Sequence, residues 1–94
     1  MIKSELIEEL ASRANISLTA ADKVVSEIFD GMAATLVAGN RIEIRGFGSF
    51  VVKEYDGYTG RNPKTGLDVT VKPKKLPFFK VGKDLRERIL DSGM

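Results

Sequence analysis

The chain has 94 residues, 43% of them apolar and 30% charged, with no cysteine and no histidine. That length suits one domain, and that apolar share is enough for a core and too high for a disordered chain. A disulfide framework, a thiolate metal site and histidine general-base chemistry are excluded, while the net charge of +2 excludes nothing by itself.

The distribution of charge says more. Residues 1–39 carry three basic and six acidic side chains, net −3, whereas residues 40–94 carry twelve basic and seven acidic, net +5. Between positions 57 and 83 there are seven basic residues and one acid, Asp68. This asymmetry points to a basic surface built by the second half and a polyanionic partner, although an ordinary solvated surface explains charge alone equally well. Glu8, Glu9 and the other acids fall in patterns of solvated helix faces, so catalysis is not expected. No apolar run approaches about 18 residues and no signal-peptide pattern is present, so neither export nor membrane insertion is expected. The absence of cysteine fits a reducing, cytoplasmic setting.

In chain order, residues 4–14 read as a first helix, with Ser4 as N-cap, acids in the first turns, and Leu6, Ile7, Leu10, Ala11 and Ala14 on one face. Residues 18–38 read as a second, longer helix. Ser17 and Thr19 compete for its N-cap, Thr19 and Asp22 resemble a capping box, and Gly39 stops it. Val24, Val25, Ile28, Phe29, Met32, Leu36 and Val37 form its apolar stripe, read as a core face rather than a membrane-surface one. After Gly39 the period drops to two: Ile42 and Ile44 alternate with Arg41, Glu43 and Arg45, Gly46 and Gly48 bracket a turn at Phe47, and alternation resumes through Phe50 and Val52. The two glycines lack the third glycine and the βαβ setting of a dinucleotide loop. Val69 and Val71 alternate as in an exposed strand, Leu76, Phe78 and Phe79 lead inward, and residues 81–92 read as a short terminal helix with Leu85 and Ile89 toward the core.

The core is short of material. If residues 56–73 project, only 76 residues remain to enclose Phe29, Phe47, Phe50, Phe78 and Phe79. A body of that size buries its apolar surface poorly, and a dimer sharing the long helix and the phenylalanines resolves the shortage.

The projecting segment centres on GRNPKTG, residues 60–66. Asn62-Pro63 suits the first two positions of a type I turn, and Gly66 accepts positive φ. A turn alone explains neither Arg61 and Lys64 beside the proline nor flanking strands that read as polar on both faces. A ribbon with no buried face is marginal in water. Nucleic acid supplies a second surface: the ribbon fits a groove, the cations neutralise phosphates, and the proline ring can wedge between base pairs. A phosphate-binding P-loop is excluded because Pro63 occupies the glycine position before Lys64-Thr65.

With KSELIEEL at the start, GFGSF in the middle, GRNPKTG at the tip and FFKVGKDLRER near the end, the chain resembles the HU and integration host factor family of bacterial DNA-bending proteins over nearly its whole length. NRIEIRGFGSF is closer to the integration host factor β-type subunit than to HU. The resemblance implies an α+β fold in a single domain over residues 1–94: a helical base at 1–39, a β saddle and arm at 40–80, and a C-terminal helix at 81–92, forming an intertwined dimer whose two β-ribbon arms embrace the minor groove of double-stranded DNA. It implies that Pro63 intercalates, with Tyr58, Arg61, Asn62, Lys64, Lys72, Lys74 and Lys75 serving the arm. Lys3, Glu43, Arg45, Lys53, Lys80, Lys83 and Arg86 are the implied DNA contacts of the body, and Phe29, Phe47, Phe50 and Phe79 the dimer core. No cofactor, metal or small-molecule substrate is expected, and the protein is expected in the bacterial cytoplasm at the nucleoid.

Tyr55, Asp56 and Tyr58 depart from the family, many members of which are basic where the tyrosines stand, so a weaker phosphate grip at the arm's root, or stacking by Tyr58, follows. The leading function is architectural DNA bending in nucleoid organisation, recombination and transcription. The alternatives are a sequence-specific β-type subunit that needs an α-type partner and, less favoured, an assembly module that docks an acidic protein.

Overall fold

A computed structural model describes residues 1–92; the last two residues of the domain expected over 1–94 lie outside it. The element order is α1 (Lys3–Ala14), α2 (Leu18–Val37), β1 (Ile42–Ile44), β2 (Gly48–Tyr55), β3 (Tyr58–Arg61), β4 (Asp68–Val71), β5 (Lys74–Val81) and α3 (Lys83–Ser92). The α+β class and the arrangement of helices, sheet and ribbon expected from the sequence are all present.

The helix boundaries follow from backbone hydrogen bonds at their ends. Helix α1 begins one residue earlier than expected: its N-cap is Ile2, whose carbonyl accepts from the Leu6 N–H, and Ser4 lies inside the first turn without capping it. It ends at Asn15, which adopts the left-handed region at φ 54°, a conformation asparagine tolerates better than most residues. At α2, Ser17 wins over Thr19 because its Oγ accepts from the Ala20 N–H at 3.1 Å. No capping box forms; the Asp22 carboxylate instead accepts from the Ser26 hydroxyl. At the far end Gly39, at φ 85°, donates to the Leu36 carbonyl while Asn40 donates to that of Thr35, the paired bonds of a Schellman motif.

Strands β1, β2 and β5 form an antiparallel sheet in the order β1-β2-β5, and β3 and β4 form a separate two-stranded ribbon. The tight turn between β1 and β2 closes with Phe47 donating to Ile44, Gly46 taking φ 82°. Strand β5 extends to Val81, paired with Gly48, so α3 starts at Lys83 rather than at 81. Gly82 makes the junction: its N–H donates to the Phe47 carbonyl, and its own carbonyl accepts from Arg86.

Register sorts the sheet into two faces. Ile42, Ile44, Phe50, Val52, Glu54, Lys75, Pro77, Phe79 and Val81 share one, beside the C-terminal end of α2, where Leu36 and Val37 adjoin Val52. Glu43, Ser49, Val51, Lys53, Tyr55, Lys74, Leu76, Phe78 and Lys80 share the other, which looks away from the helices. Leu76 and Phe78 therefore do not lead inward as the apolar run 76–79 implied; only Phe79 does, because strand alternation sends successive side chains to opposite faces.

A single copy is not a finished globule. Its radius of gyration is 19.6 Å and its extents are 62 × 36 × 26 Å, where a compact chain of this length has a radius near 12 Å. Its accessible surface is 8046 Å², against about 5,400 Å² for a compact monomer of its mass. Among the described residues the buried apolar side chains are Ala11, Ala21 and Val25 alone, while Ile28, Phe29, Phe47, Phe79 and Ile89 stay exposed. On α1, Leu6, Ile7 and Leu10 are half-buried and Ala14 exposed; on α2, Met32 and Leu36 are half-buried and Val24 and Val37 exposed. The apolar stripes fall where the sequence put them, yet one chain covers only their inner edges.

Candidate nucleic-acid interface

The ribbon continues the β2–β5 pair beyond a joint. Pairing runs to Tyr55 opposite Lys74, breaks at Asp56-Gly57 and Lys72-Pro73, and resumes with Tyr58 opposite Val71. Pro73 lacks an N–H, so the ladder cannot run unbroken through it. Gly57 sits against it so tightly that a Cβ there would lie 2.7 Å from the Val71 carbonyl oxygen and 2.8 Å from the Pro73 Cδ.

The ribbon is not polar on both faces, as the sequence reading held. Thr59, Arg61, Asp68 and Thr70 form a polar face, but Tyr58, Gly60, Val69 and Val71 share the other. The Tyr58 ring lies over Gly60, where a Cβ would meet it at 3.6 Å, and remains 65% exposed. This small apolar face gives the free ribbon some internal packing.

The tip is held by four hydrogen bonds. Asn62 N–H donates to the Leu67 carbonyl at 2.8 Å, and Gly66 N–H donates to the Asn62 carbonyl at 2.7 Å with Gly66 at φ 72°. Lys64 N–H donates to Asn62 Oδ1 and Leu67 N–H to Thr65 Oγ1. The closing bond from residue 66 to residue 62 makes the turn one residue wider than the type I turn expected. Asn62 is consequently a structural anchor with its amide oxygen engaged, and Pro63 stands exposed at the end of the ribbon between the exposed Arg61 and Lys64. The turn fixes the proline ring in place with no N–H to satisfy.

The remaining basic residues divide by strand parity. Lys53, Lys74 and Lys80 lie on the outward sheet face, where the Lys53 Nζ sits 3.6 Å from the centroid of the Phe78 ring and the Lys74 Nζ 5.7 Å from that of Tyr55. Lys75 points to the helix side and pairs with Glu54 at 3.4 Å, so it stands apart from Lys74 despite adjacency in sequence. Lys72 belongs to the joint. Glu43 is also on the outward face, paired with Arg41 at 2.8 Å, an exposed contact of the kind worth under about 1 kcal/mol. Arg45 borders a polar depression of about 450 Å³ with Gly46, Ser49 and Gly82. Lys83 and Arg86 stand exposed on the first turn of α3. Lys3 is away from all of these, at a groove of about 400 Å³ on the helical base with Met1, Ile2, Leu6 and Phe29.

The four phenylalanines expected in a dimer core also divide. Phe79 joins Phe50 and Phe47, with ring centroids 4.9 and 5.4 Å apart, whereas Phe29 lines the groove beside Lys3. Gly48 belongs to the cluster by omission: a Cβ there would fall 2.7 Å from the Phe79 ring and 2.5 Å from the Lys80 carbonyl oxygen. Among the described residues no group of acids could hold a metal ion, and no helix is long and apolar enough to cross a membrane. The role of Gly57 was missed in the sequence, where the Asp56-Gly57 pair and Pro73, sixteen residues later, offered the signal of a joint.

The profile of the family described as bacterial DNA-binding protein matches residues 1–90. The β subunits of integration host factor from Shewanella amazonensis and Shewanella halifaxensis are each 52% identical over 90 residues, covering 95% of this chain and 95% of theirs. An Anabaena HU–DNA cocrystal structure matches with a TM-score of 0.80 at 31% identity, covering 95% of this chain and 97% of that one. HU from Thermotoga maritima matches with a TM-score of 0.67 at 27% identity, covering 95% and 98%.

Proposed function

The chain belongs to the family of bacterial DNA-binding proteins that includes HU and integration host factor, non-enzymatic architectural proteins, and from that premise we propose how its own residues do the work. Two related subunits close the exposed apolar faces over the Phe47, Phe50 and Phe79 cluster. Their two ribbons then reach around a duplex, and each Pro63 ring wedges into a base step from the minor groove. Such unstacking costs a few kcal/mol per step, a magnitude known for this very family, HU and integration host factor included. Arg61 and Lys64 neutralise the phosphates beside the wedge, and Lys53, Lys74, Lys80, Lys83 and Arg86 those nearer the body. The protein then acts at the nucleoid in the bacterial cytoplasm.

The observation that carries this reading is the free-standing ribbon itself. Its tip is locked by hydrogen bonds among Asn62, Lys64, Thr65, Gly66 and Leu67, and what the lock presents is an exposed proline between two cations. Neither a catalytic site nor a protein-docking module calls for that arrangement.

A second reading changes the partner alone. The 52% identity to integration host factor β subunits, against 31% to the Anabaena HU, favours a β-type subunit paired with an α-type one. End-to-end fluorescence transfer on a 35-base-pair duplex, titrated with this chain alone, separates the two. A large rise in transfer means that two copies bend DNA unaided. A rise only after an α-type subunit is added means a heterodimer. Binding with no rise under either condition contradicts the bending role.

A further inference from the structure

The outward face of the β2–β5 sheet holds more than cations. From the β1–β2 turn toward the arm its rungs are Ser49 with Lys80, Val51 with Phe78, Lys53 with Leu76, and Tyr55 with Lys74. Lysines thus alternate with apolar and aromatic side chains, and two of the lysines lean over the rings. Phe78 is 42% exposed and Leu76 45%, on a face that none of the described elements covers. The Phe47, Phe50 and Phe79 cluster that awaits another subunit belongs to the opposite side.

We infer that Val51, Leu76 and Phe78 form an apolar DNA-contact strip, with the Phe78 ring packed against the sugar edge of the duplex while Lys53, Lys74 and Lys80 bind the phosphates on either side. This rests on the DNA-bending reading and adds to it a contact that is not electrostatic. Two observations choose the occupant. The strip is framed by three lysines with Glu43 as the single acid on that face, and Glu43 is already engaged by Arg41, so the surface is complementary to a polyanion. The same two strands also run on through the joint into the arm, so a duplex gripped by the ribbon passes over the rungs at its root.

Deoxyribose offers apolar C–H edges to an aromatic ring, and burying them takes both surfaces out of water. In the free protein the Lys53 ammonium covers the ring at 3.6 Å. On binding it swings to a phosphate, and sugar replaces it over the ring. Charged contacts and the strip then differ in how they respond to salt: phosphate neutralisation sets the slope of log affinity against log salt, and an apolar contact shifts the whole line without changing the slope.

The experiment measures the affinity of the full chain for the 35-base-pair duplex by fluorescence anisotropy between 50 and 200 mM salt, with the α-type partner added if the wild type requires it. It compares wild type with Phe78→Ser, Phe78→Leu and Lys53→Ala. Phe78→Ser is expected to bind about tenfold more weakly at every salt concentration, on an unchanged slope. Phe78→Leu keeps the apolar surface and is expected to stay within about threefold of wild type. Lys53→Ala is expected to lower the slope by about one. If Phe78→Ser binds as wild type does, the strip is not a DNA contact, and the bending reading survives. If both Phe78 variants lose slope as Lys53→Ala does, the ring only seats the lysine and the proposal fails. A Phe78→Ser variant with altered subunit assembly by sedimentation makes the strip an interface between subunits, which also overturns it. A wild type that binds no duplex sinks the bending reading and the strip together.

Discussion

The body and the arm are built from consecutive stretches of one strand pair, and they lack opposite things. In the body, β2 and β5 carry Phe50, Val52 and Phe79 toward the helices, and the chain runs out of cover before those rings are closed off. In the arm, β3 and β4 carry one small apolar face around Tyr58 and otherwise threonine, arginine and aspartate. The body is short of apolar surface to pack against, which another subunit of the same design supplies. The arm is short of any tertiary surface, and its exposed cations and proline fit a polyanion with a groove. An incomplete fold thus states its partners through the chemistry of what it leaves open, and the joint at Gly57 and Pro73 separates the two requirements.

Substitutions should separate what the body needs from what the arm needs. Phe79→Ala removes the ring that touches both Phe47 and Phe50, and is expected to cost the assembled protein about 3–5 kcal/mol. Urea unfolding at several protein concentrations measures this, the midpoint falling most at the lowest concentration; an unchanged midpoint means the cluster is not buried on assembly. Gly57→Ala places a methyl group against the Val71 carbonyl and Pro73, and about 1–3 kcal/mol of strain is expected at the joint alone. Hydrogen exchange should quicken at Gly60 and Val69, which face each other across the ribbon, with little change in α1 and α2, and uniform quickening would show that arm and body are not separable. Ser17→Ala removes the cap of α2 and is expected to cost about 1 kcal/mol, seen in the thermal midpoint and not in DNA affinity at fixed fold. Lys83→Ala is the smallest: about one unit of salt slope, or roughly fourfold in relative affinity across 50 to 200 mM, equally on all sequences. An effect on one sequence only would make Lys83 a base-reading residue.

The parts of this molecule that were legible in the sequence are those written as a period or a stop. The 3.6-residue stripe and Gly39 gave α2, the alternation at Ile42 and Ile44 gave β1, and Asn62-Pro63 with Gly66 gave the tip. The shortage of core, counted from five phenylalanines in a small body, pointed to another subunit. What stayed hidden depends on register and on competition between near-equal local choices. Leu76, Pro77, Phe78 and Phe79 make one apolar run, so nothing in it says that alternate members face opposite ways; only the pairing of Phe50 with Phe79 and Val51 with Phe78 decides that. Lys74 and Lys75 part company for the same reason. Ser4 is a good capping residue, but Ile2 starts the helix because its carbonyl already accepts the first helical bond. The wider tip turn depends on bonds from Asn62 and Thr65 that a four-residue template does not include.

The locked proline at the arm tip is expected to be what bends DNA. The most direct measurement compares wild type and Pro63→Ala for end-to-end fluorescence transfer on the same 35-base-pair duplex, each at saturation confirmed by anisotropy. The mutant is expected to bind within about tenfold of wild type, because the phosphate contacts remain, while its transfer falls most of the way toward that of free DNA. A mutant that bends the duplex as far as wild type would contradict the claim.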